Sequence, residues 1–83
     1  TQLKPGEKLV LLTYSGGNAG ESVISHLAEA FHVQANIIFG NVDILKGKPI
    51  GKLVVILSGD SENLVKGMQY IRDRNVQMEV IRG

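Results

Sequence analysis

The segment at residues 35–58, ANIIFGNVDILKGKPIGKLVVILS, decides the fold of this protein. It contains two β-rich apolar runs, at about 35–45 and at 50–58, separated by the polar sequence KGKP at 46–49. Two such runs joined by a turn of about four residues are typical of an antiparallel hairpin. The second run is apolar on both of its alternating faces, as expected for a strand inside a sheet.

A helix is predicted before this hairpin. Apolar residues recur every three or four positions from Val23 to Phe31, which is the period of an amphipathic helix. Asn18 followed by Glu21 forms a capping-box pattern, so the helix should begin near Ala19.

A second helix is predicted after the hairpin, with Asp60 or Ser61 as its N-cap and Asn75 at its end. Its apolar stripe consists of Leu64, Val65, Met68 and Ile71.

Two further strands lie near the ends of the chain, at 8–14 (KLVLLTY) and at 76–81 (VQMEVI). The element order β-α-β-β-α-β predicts an α+β, ferredoxin-like sandwich, in which a four-stranded antiparallel sheet carries both helices on one face. With 83 residues the chain forms one small domain, assigned to residues 8–83. The polar stretch TQLKPGE at 1–7 is predicted to be a linker from a preceding domain.

This fold leaves one face of the sheet without helices. Because the central strands are apolar on both faces, that bare face should carry an apolar patch of roughly 400 Å². Loops or a neighbouring domain would cover such a patch in one interpretation, and a second copy of the chain, in a symmetric homodimer, would cover it in the other.

Composition excludes several functions. The net charge is only +1, without a basic patch, which argues against electrostatic binding of nucleic acid. The longest fully apolar stretch, at 53–57, is too short for a membrane span. The chain has no cysteine, and His26 and His32 lack partners at metal-ligand spacing, so no metal site is expected.

No catalytic residues are expected either. The serines have no evident partnership with a histidine and an acid, and an acylphosphatase of this topology would need an arginine in its first loop. An RNA-recognition domain would carry aromatic residues on its central strands. The strand at 50–58 has none.

The glycine-bearing loop SGGNAGES, at 15–22, follows a strand and precedes a helix. It does not match a phosphate-binding loop, because it has no lysine at the helix start. Gly16, Gly17 and Asn18 are therefore either a tight turn or a loop that presents free amide groups to a ligand carboxylate.

Asn36 stands out because it places a carboxamide where the second strand begins. Simple alternation points it the same way as the apolar or small residues at every second position from Ile38 to Ile44. It either caps backbone groups or holds a small polar ligand, such as an amino-acid zwitterion, beside walls formed by Ile37 and Ile38.

The stretch FHVQANIIFGNVDILKGKPIGKLVVILSGD at 31–60, with YIRDRNVQMEVI at 70–81, resembles the NIL domain, an ACT-like module. The resemblance extends from about Leu9 to Ile81. Such domains occur at the C-terminus of the ATP-binding subunit of methionine-importing ABC transporters, and also beside other modules, including ferredoxin-type ones.

The resemblance implies a sensor on the cytoplasmic side of the bacterial membrane. Two domains would pair, bind L-methionine at or near their interface, and slow import when methionine is plentiful. The implied ligand contacts are Asn36, Ile37 and Ile38, with Asn41 and Val42 farther along the strand. Gln34-Ala35 replaces a second Asn found before this motif in some members.

By the same resemblance the domain itself carries no cofactor. ATP and Mg²⁺ would belong to a nucleotide-binding domain absent from this sequence, and a membrane permease would be a partner of the full-length protein. Two alternatives remain: a homodimerisation module without a ligand, and the NIL domain of an iron–sulfur protein.

Overall fold

The structure, a computed structural model, describes residues 2–15, 19–74 and 76–83, with the backbone alone described at 19–21. Its elements in chain order are β1 (Lys8–Ser15), α1 (Ala19–Phe31), β2 (Gln34–Leu45), β3 (Lys48–Ser58), α2 (Ser61–Arg72) and β4 (Val76–Arg82). The four strands form one antiparallel sheet in the order β2-β3-β1-β4. The predicted ferredoxin-like fold is therefore confirmed.

Several predictions lie outside the described residues. These are the glycine loop Gly16, Gly17 and Asn18, the capping box that joins Asn18 to Glu21, and the closing of the second helix at Asn75. The predicted start of α1 at Ala19 is confirmed.

The core lies between the helices and the two central strands. Val10 and Leu12 of β1 pair with Val55 and Leu53 of β3, and their side chains point toward the helices. Both helices contribute apolar residues at helical spacing, but Val65, predicted in the stripe of α2, is 69% exposed and lies outside the core. The core residues from the helices are Val23, Leu27, Leu64, Met68 and Ile71.

Backbone conformation and capping define the C-terminal end of α1 and the N-terminal end of α2. His32 adopts a left-handed conformation with φ of 56°, and the N–H of Val33 donates to the Leu27 carbonyl over 3.0 Å, which ends α1. Asp60 takes the predicted N-cap position of α2, although its side chain makes no capping hydrogen bond.

Neither helix within the described ranges combines the length and the hydropathy that a membrane crossing requires.

The turn of the hairpin is tighter than predicted. Leu45 pairs with Lys48, so the loop consists only of Lys46 and Gly47, with φ of 51° and 78°. Two positive φ angles are typical of a type I′ turn, whose twist matches that of the flanking strands. The strand β3 therefore begins at Lys48, and Pro49 is tolerated there because it lies at the strand's start.

Candidate functional site

The face of the sheet away from the helices, called the open face below, is apolar at its centre. Leu9 and Ile56, which pair with each other, are only 7% and 8% exposed although neither belongs to the helix-side core. Leu11 and Val54 beside them are half-buried. The centre of the open face is thus less exposed than the sequence predicts.

The exposed apolar surface is concentrated on β2 instead. This strand lies at the edge of the sheet and pairs only with β3. Its exposed large apolar residues are Ile37, Ile38, Phe39, Val42, Ile44 and Leu45. Exposed large apolar side chains concentrated on one edge strand favour an interaction site there.

A β-bulge at Ile38 reverses the alternation along β2. Ile37 pairs with Val55, whereas Phe39 pairs with the adjacent Val54, so Ile38 is the extra residue and lies with Phe39 opposite Val54. Residues on either side of the bulge therefore follow different alternations.

Because of the bulge, Asn36 does not point the same way as the residues that alternate after it, contrary to the prediction. Asn36 pairs with Ile56 and lies on the open face, whereas Val42 pairs with Gly51 on the helix side. Ile44, paired with Pro49, also lies on the helix side. The prediction of a common direction is wrong for Gly40, Val42 and Ile44.

The five residues predicted to contact a ligand are consequently divided between two surfaces. Asn36 and Asn41 lie on the open face and Ile37 and Val42 on the helix side, and Ile38 is the unpaired residue of the bulge between them. The Asn41 carboxamide donates to the Asp43 carboxylate over 3.4 Å, consistent with both residues lying on one face. One chain alone does not bring all five together.

Phe39 was missed as a site residue. It lies on the open face between Asn36 and Asn41 and is 58% exposed. Its aromatic side chain directly follows the Asn-Ile-Ile motif and could have identified it. Simple alternation from Asn36, however, places Phe39 on the opposite face from Asn36.

A cleft of about 620 Å³ lies beside Asn36. It is lined by Glu7, Ile24, Ser25, Ala28, Gln34, Ala35, Asn36, Ile56 and Ser58. The Asn36 side chain is exposed, and its carboxamide makes no hydrogen bond to another described residue. An apolar wall with a free donor and acceptor is the arrangement that small polar ligands require.

A second cleft, of about 700 Å³, separates the segment at residues 2–8 from Arg82 and Gly83. It contains none of the predicted site residues. In the parts of the chain that the structure covers, no three potential metal ligands lie together.

The family model of the NIL domain matches residues 8–80. The chain belongs to the NIL domain family. The match includes the whole sheet up to Val80 and both helices, and so contains the cleft apart from Glu7.

Among sequence relatives of this NIL domain, the methionine import ATP-binding protein MetN of Streptococcus agalactiae is 44% identical over 80 residues, or 96% of this chain. MetN of Lacticaseibacillus paracasei is 39% identical over 79 residues, or 95% of the chain. The chain spans only 22% and 23% of these two proteins, so it corresponds to about a fifth of each.

A solved structure has the same fold. The C-terminal domain of an ABC transporter ATP-binding protein from Enterococcus faecalis superimposes with a TM-score of 0.74 at 32% identity. The superposition covers 93% of this NIL domain and 86% of that chain.

Proposed function

We propose that this NIL domain is the C-terminal regulatory domain of a methionine importer's ATP-binding subunit, where it binds cytoplasmic L-methionine and slows import when occupied. The observation that carries the proposal is the Asn36 carboxamide beside the cleft, which makes no hydrogen bond to another described residue. The relatives, named as methionine import ATP-binding proteins, supply the ligand. The parent protein would act with a membrane permease on the cytoplasmic side of the membrane.

The cleft has the groups that a methionine molecule needs. The Asn36 amide donates to the ligand carboxylate, and the Glu7 carboxylate on the same cleft accepts from its ammonium group. The thioether side chain packs against Ile56, which shares the open face with Asn36, because apolar contact favours a flexible, polarizable sulfur chain.

No chemical step is assigned to the domain. Methionine regulates by binding one arrangement of paired domains better than another, and its effect on the transporter equals that difference in affinity. A homodimer is the arrangement that the exposed apolar surface of β2 supports.

The proposal is tested by thermal unfolding with and without L-methionine. Binding to the native state raises the melting temperature, and a ligand concentration 100 times Kd adds about 2.7 kcal/mol of stability. Asn36→Ala should remove this response, whereas Asn63→Ala on α2, which does not line the cleft, should keep it.

A melting temperature that does not change at millimolar L-methionine contradicts the proposal. If the chain is nevertheless dimeric in that experiment, the result favours the alternative of a pairing module without a ligand.

A further inference from the structure

The segment that leads into β1 contains a closed turn at residues 4–7. The N–H of Glu7 donates to the Lys4 carbonyl over 3.0 Å, and Gly6 between them has φ of 87°. Proline at the second position and a positive φ at the third are typical of a type II turn. The sequence Lys4-Pro5-Gly6-Glu7 therefore places a suitable residue at each central position of this turn.

The Glu7 side chain closes the same turn a second time. Its Oε1 accepts a hydrogen bond from the Lys4 N–H over 2.7 Å, so the two residues exchange two hydrogen bonds. The bond to the carboxylate is charge-assisted, but it lies at the surface. Because water competes for both groups there, the bond contributes little by itself. A further contact on the Glu7 carboxylate therefore shifts the balance between the closed and the open turn.

Glu7 is also part of the cleft beside Asn36. It lines that cleft and the second cleft, of about 700 Å³, which Lys4, Pro5 and Gly6 line as well. Within the residues that the structure describes, no other residue lines both of these clefts. A carboxylate has two oxygens with about four acceptor sites, so Glu7 has capacity for a donor in the cleft while Oε1 accepts from Lys4.

The backbone of Glu7 is fixed against the sheet. The next residue, Lys8, begins β1 and pairs with Leu57, and a Cβ atom at Gly83 would lie only 2.5 Å from the Glu7 carbonyl oxygen. Lys4, in contrast, is held by the two hydrogen bonds of the turn. A change in the hydrogen bonding of the Glu7 side chain therefore acts on the turn and leaves the sheet as it is.

We propose that Glu7 couples the occupancy of the cleft to the conformation of the turn at residues 4–7. The ammonium group of a bound methionine donates to Glu7 and keeps the carboxylate where its Oε1 accepts from the Lys4 N–H. The occupied cleft then holds the turn closed, and the empty cleft leaves it free to open. This coupling rests on the proposed function, because the ammonium group is that of the proposed ligand.

The position of the turn gives this coupling a regulatory use. Under the proposed function the domain is C-terminal, so the chain from the ATP-binding part of the parent protein enters it through residues 2–7. A closed type II turn reverses the direction of the chain, whereas an open one lets the segment extend. Occupancy of the cleft thereby sets the direction from which the preceding domain is tethered, without a contact between that domain and the ligand.

Amide hydrogen exchange measures the state of the turn. The Lys4 N–H is protected while it donates to Glu7, so a saturating concentration of L-methionine should slow its exchange several-fold. The Arg74 N–H, which donates to the Ile71 carbonyl over 3.1 Å outside the cleft, is the matched control and should exchange at an unchanged rate. Both rates are measured by NMR in the same samples, with and without L-methionine.

The coupling is reciprocal, so the turn must affect the ligand as much as the ligand affects the turn. Gly6→Ala tests this direction, because a Cβ disfavours the left-handed conformation of the closed turn by about tenfold. No described atom lies within 4 Å of the new Cβ, so the change acts through the backbone alone. The Kd for L-methionine, measured by calorimetry, should rise between about two- and tenfold.

Gly47→Ala is the matched variant. Gly47 also has a positive φ, of 78°, and equally open surroundings, but it belongs to the hairpin turn and does not line the cleft. The Kd of this variant should equal that of the unmodified chain.

The possible failures are distinguishable. If the unmodified chain does not bind L-methionine in the calorimeter, the proposed function and the coupling are both wrong. If the chain binds L-methionine but the Lys4 exchange rate does not change, the coupling is wrong and the proposed function stands. The same conclusion follows if Gly6→Ala binds L-methionine as tightly as Gly47→Ala.

Discussion

The central strands and the edge strand β2 are both rich in apolar residues, yet those of the central strands are mostly buried and those of β2 are mostly exposed. Leu12 of β1 is fully buried, whereas Phe39 and Ile44 of β2 are more than half exposed. The difference arises because β1 has strands on both sides and helices above it, whereas β2 has a neighbour on one side only. Apolar content therefore indicates that a strand will be covered, and the topology decides whether the chain's own residues cover it.

The largest expected effect comes from truncating a buried side chain of the central strand β1. The comparison is the same truncation of an exposed side chain on the edge strand β2. Leu12→Ala leaves a cavity in the core and should lower the free energy of unfolding by about 2–5 kcal/mol. Ile44→Ala removes an exposed side chain and should change it by less than about 0.5 kcal/mol. Urea titration measures both values, at protein concentrations low enough that the midpoint no longer depends on concentration. Similar losses in the two variants would mean that Ile44 is covered within one chain.

A smaller effect is expected where a central strand has no room for a side chain. A Cβ atom at Gly51 would overlap the Tyr14 ring at Cε2 and Cζ, and would lie 2.7 Å from its hydroxyl oxygen. Gly51→Ala should therefore lower the free energy of unfolding by about 1–3 kcal/mol. The double variant Gly51→Ala with Tyr14→Ala should lose less than the sum of the two single changes.

Gly40 on β2 is the matched control for that prediction. A Cβ there would lie 3.0 Å from Leu53 Cδ2, the far end of a flexible side chain that is able to move. Gly40→Ala should be tolerated better than Gly51→Ala. Equal destabilisation would show that β2 is packed as tightly as the centre of the sheet.

The sequence was sufficient to predict the elements and their order. Helical periodicity and two-residue alternation arise from side-chain burial, which the fold preserves, so α1 begins at the predicted Ala19 and β1 ends within one residue of its predicted end. The turn was less certain, because KGKP contains a glycine and a proline and each marks a turn. The structure uses only Lys46 and Gly47.

The site was predicted less completely than the fold. Asn36 was correctly placed at the start of β2, but the bulge at Ile38 has no sequence signature and it reverses every face assignment after it. The uncovered apolar surface was expected at the centre of the sheet, where Leu9 and Ile56 are in fact buried. Which strand lies at the edge follows from the pairing order and not from the composition of any one strand.

The smallest expected effect concerns the turn that joins the central strand β3 to the edge strand β2. Lys46 and Gly47 both have positive φ, and Asn-Gly is the preferred pair for this type I′ turn. Lys46→Asn should raise the free energy of unfolding by about 0.5 kcal/mol, because asparagine tolerates the left-handed conformation better than lysine. Gly47→Ala is the opposite control and should lower it by about 1 kcal/mol. Thermal unfolding of both variants tests this prediction. If Lys46→Asn lowers the stability, the Lys46 side chain makes a contact whose stabilisation exceeds the cost of its left-handed backbone conformation.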